Sequence, residues 1–179
     1  MILALTLTLV ALGGLLVLLY VARGRGTSFF KFDDMMRELR PVDLDAFRNL
    51  VDPDEDQFLQ NNLSPANFRV IKRERMRAAL DYISVASRNA AILLRMGEMA
   101  ARSENSDIVL ASRRLMYNAY RLRLYAPFVM AVLLLRVALP NTRFSAGRLL
   151  EHYQSLSGAA SEVARAQYPM YAARLSAVL

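Results

Sequence analysis

The side chains that most often perform catalysis or bind metals are scarce in this chain. Cysteine is absent and His152 is the single histidine, which excludes thiolate catalysis and cysteine-based zinc sites. His152 directly follows Glu151, and adjacent residues of a helix do not face each other, so the two are poorly placed to share a metal ion. Glu-x-x-His pairs, Walker-type phosphate loops and nucleophile elbows are also missing. We therefore expect no enzyme activity, no cofactor, no metal ion and no small-molecule substrate.

Basic residues form the strongest cluster that could bind a ligand. Five of them fall within nine positions, at Arg69, Lys72, Arg73, Arg75 and Arg77. On a helix at about 100° per residue, Arg75 points away from the other four. We call these four the basic stripe: Arg69, Lys72, Arg73 and Arg77. The stripe has three interpretations, namely contact with anionic lipid headgroups or another anion, docking of the chain's own acidic segment at 33–56, and a solvated face.

A second cluster interleaves arginine with tyrosine. Its members Arg113, Tyr117, Tyr120 and Arg121 form a possible interface, because both residue types are enriched where proteins meet. The same pattern also arises where arginine side chains extend over the edges of a half-buried helix. The sequence leaves both interpretations open.

Both clusters lie on long segments with helical spacing. After Ser64-Pro65, a helix-start signal, apolar residues recur every three or four positions, which predicts a helix over 65–102. A second such pattern predicts a helix over 107–139, in which Pro127 should cause a kink without ending the helix. The short polar segment between them predicts an antiparallel hairpin.

The remaining elements are also predicted to be helical. Asp52-Pro53 is a capping signal for a helix over 53–62, one of the short helices expected within 33–62. A final pattern at 144–178 is weakened at Gly158 and Pro169, so it predicts either one helix or two nearly collinear ones. The predicted fold class is all-α, a helical bundle built on the long hairpin.

The N-terminal segment has the composition of a membrane anchor. Residues 1–22 contain no charged side chain, whereas Arg23, Arg25 and Lys31 follow within nine positions. About 20 apolar residues match the hydrocarbon thickness of a bilayer. A cleaved signal peptide is less consistent, because there is no basic residue before the apolar run and the run is too long. We predict a single transmembrane helix at 1–22, a joint at 23–32 and a helical domain at 33–179.

Charge also predicts the orientation of this anchor. Arg and Lys stay on the cytoplasmic side of a membrane helix, so the N-terminus should lie outside and the domain inside the cytoplasm. The apolar segment 124–139 resembles a second span, but only 12 uncharged residues separate Arg123 from Arg136. That length is too short to cross a bilayer, and a buried core helix is expected instead.

Hairpin geometry makes one specific structural prediction. If the turn is centred near residues 104 and 105, facing positions of the two helices have numbers that add to about 209. Arg136 then lies opposite the neighbourhood of Glu74. An unpaired charge in an apolar stretch is costly, so we predict that Glu74 and Arg136 pair, or that Arg136 pairs with an acidic residue of 33–56.

Together these patterns predict a non-enzymatic, membrane-anchored interaction or scaffold protein at the cytoplasmic face of a membrane. The alternative is a peripheral lipid- or anion-responsive module that uses the basic stripe. A third possibility is an accessory subunit of a membrane enzyme or transport complex. The expected partners are the lipid bilayer and a protein. Nucleic acid is not expected, because segment 33–62 carries a net charge of −6 beside the basic stripe.

Overall fold

Helices account for all the regular secondary structure in the described part of the chain. The computed structural model describes residues 32–138 and 147–178. In these ranges the helices are α1 (Phe32–Glu38), α2 (Leu44–Val51), α3 (Pro53–Asn62), α4 (Pro65–Ala100), α5 (Ser106–Ala138), α6 (Gly147–Gln167) and α7 (Pro169–Val178). The all-α prediction is confirmed. The predicted anchor at 1–22 lies outside the described residues, and none of the seven helices is long and apolar enough to cross a bilayer.

The predicted hairpin is formed by α4 and α5, which pack antiparallel. The hydroxyl of Ser64 accepts a hydrogen bond from the backbone N–H of Asn67 at 3.3 Å, which caps the start of α4. At the turn, the Asn105 side chain accepts a hydrogen bond from the N–H of Asp107 at 2.9 Å. Helix α5 continues through Pro127. Both predicted helices end within two residues of the observed bounds.

Small residues let the two hairpin helices approach closely. Buried residues of α5 recur at seven-residue spacing, at Leu115, Leu122 and Val129 and at Ala119, Ala126 and Leu133. They face a similar seam on α4, which includes Gly97 near the turn. A Cβ atom at Gly97 would lie 2.8 Å from Cγ of Met116 and 3.3 Å from the carbonyl oxygen of Ser112. The three nearest atoms belong to Met116, Ser112 and Leu115, so close to the turn the numbers of facing positions add to between 209 and 213, near the predicted value of about 209.

The three short helices cover one side of the hairpin and its partner α6. Helix α1 begins with Phe32, which the sequence assigned to the joint; its ring stacks on Tyr168 with 4.0 Å between ring centroids and also contacts Tyr171. Helix α2 inserts Phe47 beside Tyr82 of α4. Phe32 is therefore a core residue of the domain.

A buried polar network fixes the connection between α1 and α2. The side chain of Asn89 in α4 is fully buried; its Oδ1 accepts from the N–H of Arg40 at 3.1 Å and its Nδ2 donates to the Arg40 carbonyl at 2.7 Å. The same Nδ2 donates to the hydroxyl of Tyr153 in α6 at 3.0 Å. Burial raises the pKa of the Tyr153 hydroxyl to about 12. One side chain thus joins α4 and α6 to the connection between α1 and α2.

Proline and glycine act differently in the C-terminal region. Pro169 begins a separate helix, because proline cannot donate the backbone hydrogen bond that would continue α6. Gly158 lies within α6 without interrupting it. The predicted segment at 144–178 therefore forms two helices in the described range.

Candidate interaction surface

The basic stripe does not act as a single surface. Lys72 Nζ lies 3.9 Å from Oδ2 of Asp56 in α3, and Arg77 Nη1 lies 2.6 Å from Oε1 of Glu74 in its own helix. Arg69 and Arg73 are exposed and form no ion pair with the described residues. The structure therefore divides the stripe into one cation that contacts α3, one that pairs within α4, and two that face solvent.

Arg75, which the helical spacing directed away from the stripe, is the main contact with the acidic segment. Its Nη2 donates to the carbonyl of Asn49 at 2.6 Å, its Nε lies 3.5 Å from Oδ1 of Asp56, and its Nη1 lies 3.9 Å from Oε2 of Glu55. Its side chain is only 16% exposed. Arg75 follows Ile71 by four positions, a spacing that indicates the packed face and could have identified this role.

The predicted pair of Glu74 and Arg136 remains a prediction. The carboxylate of Glu74 is 60% exposed and is bound by Arg77. The side chain of Arg136 lies outside the described part of the chain.

The Arg–Tyr cluster belongs to a longer exposed surface on α5. Four large apolar or aromatic side chains lie within about 40° of one line along the helix. They are between 53% and 61% exposed: Leu110, Tyr117, Leu124 and Phe128. Arg113 and Tyr120 flank this line on one side and Arg121 flanks it on the other. We call these seven residues the outer stripe; its central line extends about 27 Å.

The sequence had identified only the arginines and tyrosines of this surface. Leu110, Leu124 and Phe128 were missed because apolar residues at helical spacing normally predict a buried face. The sequence does contain a signal for these exposed residues. Helix α5 has apolar residues on two sides, and only one of the two can face α4.

Arg121 contacts neighbours on both α5 and α6. Its guanidinium lies 5.4 Å from the centroid of the Tyr117 ring, and its Nη2 lies 3.4 Å from Nδ1 of His152 in α6. Because arginine has no acceptor, Nδ1 must accept, which requires a neutral imidazole. Burial has the largest effect on the pKa of His152 and lowers it, and Arg121 lowers it further. Glu151 raises this pKa, and Arg148 has the smallest effect, which again lowers it. The ring of Tyr125 meets that of His152 edge-on at 5.3 Å.

Further polar contacts fix the position of α5 against α6. Arg114 Nη1 lies 3.5 Å from Oε1 of Glu162, and Asn118 Nδ2 donates to the carbonyl of Ser155 at 3.3 Å. On its opposite side, α5 buries its heptad residues against α4. The outer stripe is therefore presented by a helix that is supported from two directions.

Comparison with family models, with curated proteins and with solved structures finds no match to this chain. Within the described ranges, no group of three or more His, Asp or Glu residues is arranged to hold a metal ion. Among the described residues, the outer stripe combines exposed apolar side chains with arginines, and Arg69 and Arg73 are solvent-facing cations.

Proposed function

We propose that this protein is a non-enzymatic interaction protein, tethered to a membrane by residues 1–22, whose helical domain lies on the cytoplasmic side and binds a protein partner. The outer stripe is the docking surface. A membrane enzyme or transport complex that used this surface would make the protein its accessory subunit.

The exposure of large apolar side chains on a fixed helix is the observation that supports this proposal. Large apolar side chains aligned on one face of a helix favour a binding surface, since their contact with water is unfavourable. Tyr117, Tyr120 and Arg121 belong to the residue types that dominate binding energy at interfaces. A helix that is already ordered loses little conformational entropy when a partner binds.

The alternative, a lipid- or anion-responsive module, relies on Arg69 and Arg73. Their distance from the predicted anchor weighs against it. Glu162 of α6 pairs with Arg114, which lies close to the hairpin turn. Tyr168 follows Glu162 by six residues and contacts Phe32, the first described residue. The chain therefore enters the domain at the turn end, about 40 Å along α4 from Arg73 at 1.5 Å per residue. A domain that stands on its turn end would hold both arginines away from the headgroups.

Site-specific photo-crosslinking in intact cells tests the proposal. A photoreactive phenylalanine analogue replaces Tyr117 in the full chain, and the same analogue replaces Phe58, an equally exposed aromatic residue of α3, as the control. We expect a discrete protein adduct from position 117 and none from position 58. In the same experiment, Leu124→Glu should abolish the adduct, whereas Val70→Glu, which alters an exposed apolar residue of α4, should leave it intact.

Two outcomes would contradict the proposal. One is the absence of a protein adduct from position 117, and the other is an adduct that consists of lipid. If Arg69→Gln with Arg73→Gln releases the anchor-free domain from anionic vesicles, while Leu124→Glu does not, the lipid-responsive alternative is supported instead.

A further inference from the structure

The outer stripe has a positive edge in addition to its apolar line. Arg121 lies between Tyr117 and His152, and Arg148 and Glu151 are the other charged groups that act on His152. With His152 neutral, Arg121, Arg148 and Glu151 give this edge a net charge of +1. Arg113 adds a further positive charge at the other edge.

This charge distribution disfavours pairing between two copies of the chain. The centre of the line from Leu110 to Phe128 falls near residue 119, only two positions from Arg121. A two-fold related copy packed along the same line would therefore bring the two Arg121 guanidiniums close together. Like charges that face each other across an interface are unfavourable, and in an antiparallel pair Arg113 would meet no acidic residue of the stripe.

We infer that the outer stripe binds an amphipathic helix of a different protein, with a carboxylate near its middle that is held by Arg121. The inference rests on the proposed function. Leu110, Tyr117 and Leu124 recur every seven residues, so a partner helix with the same spacing packs along the whole line. Such a helix adds one member to the existing bundle.

Arg121 is suited to this carboxylate because its contacts with Tyr117 and His152 restrict the side chain before the partner arrives. A guanidinium has five N–H donors, and the contact with His152 uses one. The remaining donors include pairs in the geometry that binds both oxygens of a carboxylate. His152 and Tyr117 act as positioning residues, since they restrict the side chain that would otherwise be ordered only on binding.

Paired synthetic helices test the inference. The probes are two hydrocarbon-stapled peptides of 21 residues, with leucine at heptad spacing and a single central Glu in one and Gln in the other. Their affinities for the full chain in nanodiscs are measured by fluorescence anisotropy. We expect the Glu peptide to bind about tenfold more tightly than its Gln twin. Arg121→Gln should remove that difference, whereas Arg102→Gln, at an exposed position of the hairpin turn, should preserve it.

The outcomes separate this inference from the proposed function. Equal affinity of the two peptides, or no binding by either, overturns the acidic-helix inference even if position 117 still crosslinks to a protein. An adduct at position 117 with twice the mass of the chain also overturns it, because the partner is then a second copy. Absence of any protein adduct overturns the proposed function itself.

Discussion

The two arginine-rich helices of the hairpin face different surroundings. On α4, Arg75 and Lys72 are covered by the acidic end of α3, so part of the basic cluster is satisfied within the chain. On α5, no described element covers the outer stripe, and Arg121 remains at an exposed surface beside aromatic rings. The comparison shows that acidic residues of the same chain can satisfy part of a dense run of basic residues, so such a run does not by itself indicate a binding site. The side of α4 that contacts α3 is thus covered, whereas the side of α5 that carries the outer stripe is open.

The largest effect is expected for the buried amide on the covered side. Asn89→Ala should lower the free energy of unfolding by roughly 2–4 kcal/mol, because both backbone groups of Arg40 lose a partner inside the protein. Asn118→Ala, at the contact between α5 and α6, is the matched control and should cost under about 1 kcal/mol, since the hydrogen bond it loses is exposed. Urea unfolding of the domain measures both. Equal losses would contradict the role assigned to burial of the Asn89 network.

Alkaline pH should weaken the same network through Tyr153. Its folded pKa, about 12, is raised above the ordinary value of 10, so the folded state keeps a proton that the unfolded state has lost. The contribution to stability is complete below about pH 10 and is lost as pH rises towards 12, by at most about 2–3 kcal/mol. Tyr153→Phe should remove this part of the pH dependence. An unchanged slope between pH 10 and 12 in that variant would contradict the assignment.

Arg75 should matter more than its neighbour in the basic stripe. Arg75→Gln is expected to cost roughly 2 kcal/mol, because it removes the charge that meets Asp56 and the donor to the Asn49 carbonyl in a largely buried site. Arg73→Gln, an exposed change of the same type, should alter stability by less than about 0.5 kcal/mol. Thermal unfolding with both variants decides the order. A larger loss of stability for Arg73→Gln would contradict the assignment of Arg75 as the main contact with the acidic segment.

The smallest effect is expected at Glu74. Its exposed pair with Arg77 predicts a loss of under about 1 kcal/mol for Glu74→Ala. The pairing with Arg136 predicted from the sequence would instead give a loss of a few kcal/mol. A double-mutant cycle on Glu74 and Arg136 distinguishes the exposed pair from the predicted buried pair. A coupling energy well above 1 kcal/mol would establish the pair of Glu74 and Arg136.

Much of the fold followed from local sequence signals. Asp52-Pro53 and Ser64-Pro65 fixed the starts of α3 and α4 because cap and proline geometry act within a few residues. The spacing of apolar residues and the length of the polar turn were enough to predict the hairpin and its approximate register close to the turn. The membrane anchor, its orientation and the pair with Arg136 remain predictions.

The site was predicted less completely, because its contacts join distant segments. Arg121 meets His152 only through the register of α5 against α6, which no local pattern specifies. The docking of α3 onto Arg75 likewise depends on how a separate helix folds back. Local spacing also could not show which of the two apolar sides of α5 stays exposed, and so Leu124 and Phe128 were overlooked.

The contact between Phe32 and Tyr168 constrains the timing of folding during synthesis. The two residues are 136 positions apart. At 5–20 residues per second, a ribosome needs roughly 7–27 s to make the segment between them. During this interval the α4 and α5 hairpin, whose contacts are local, can already form. Helix α1 is the first described element to be synthesised, yet the ring of Phe32 has no stacking partner until the last part of the chain has been made.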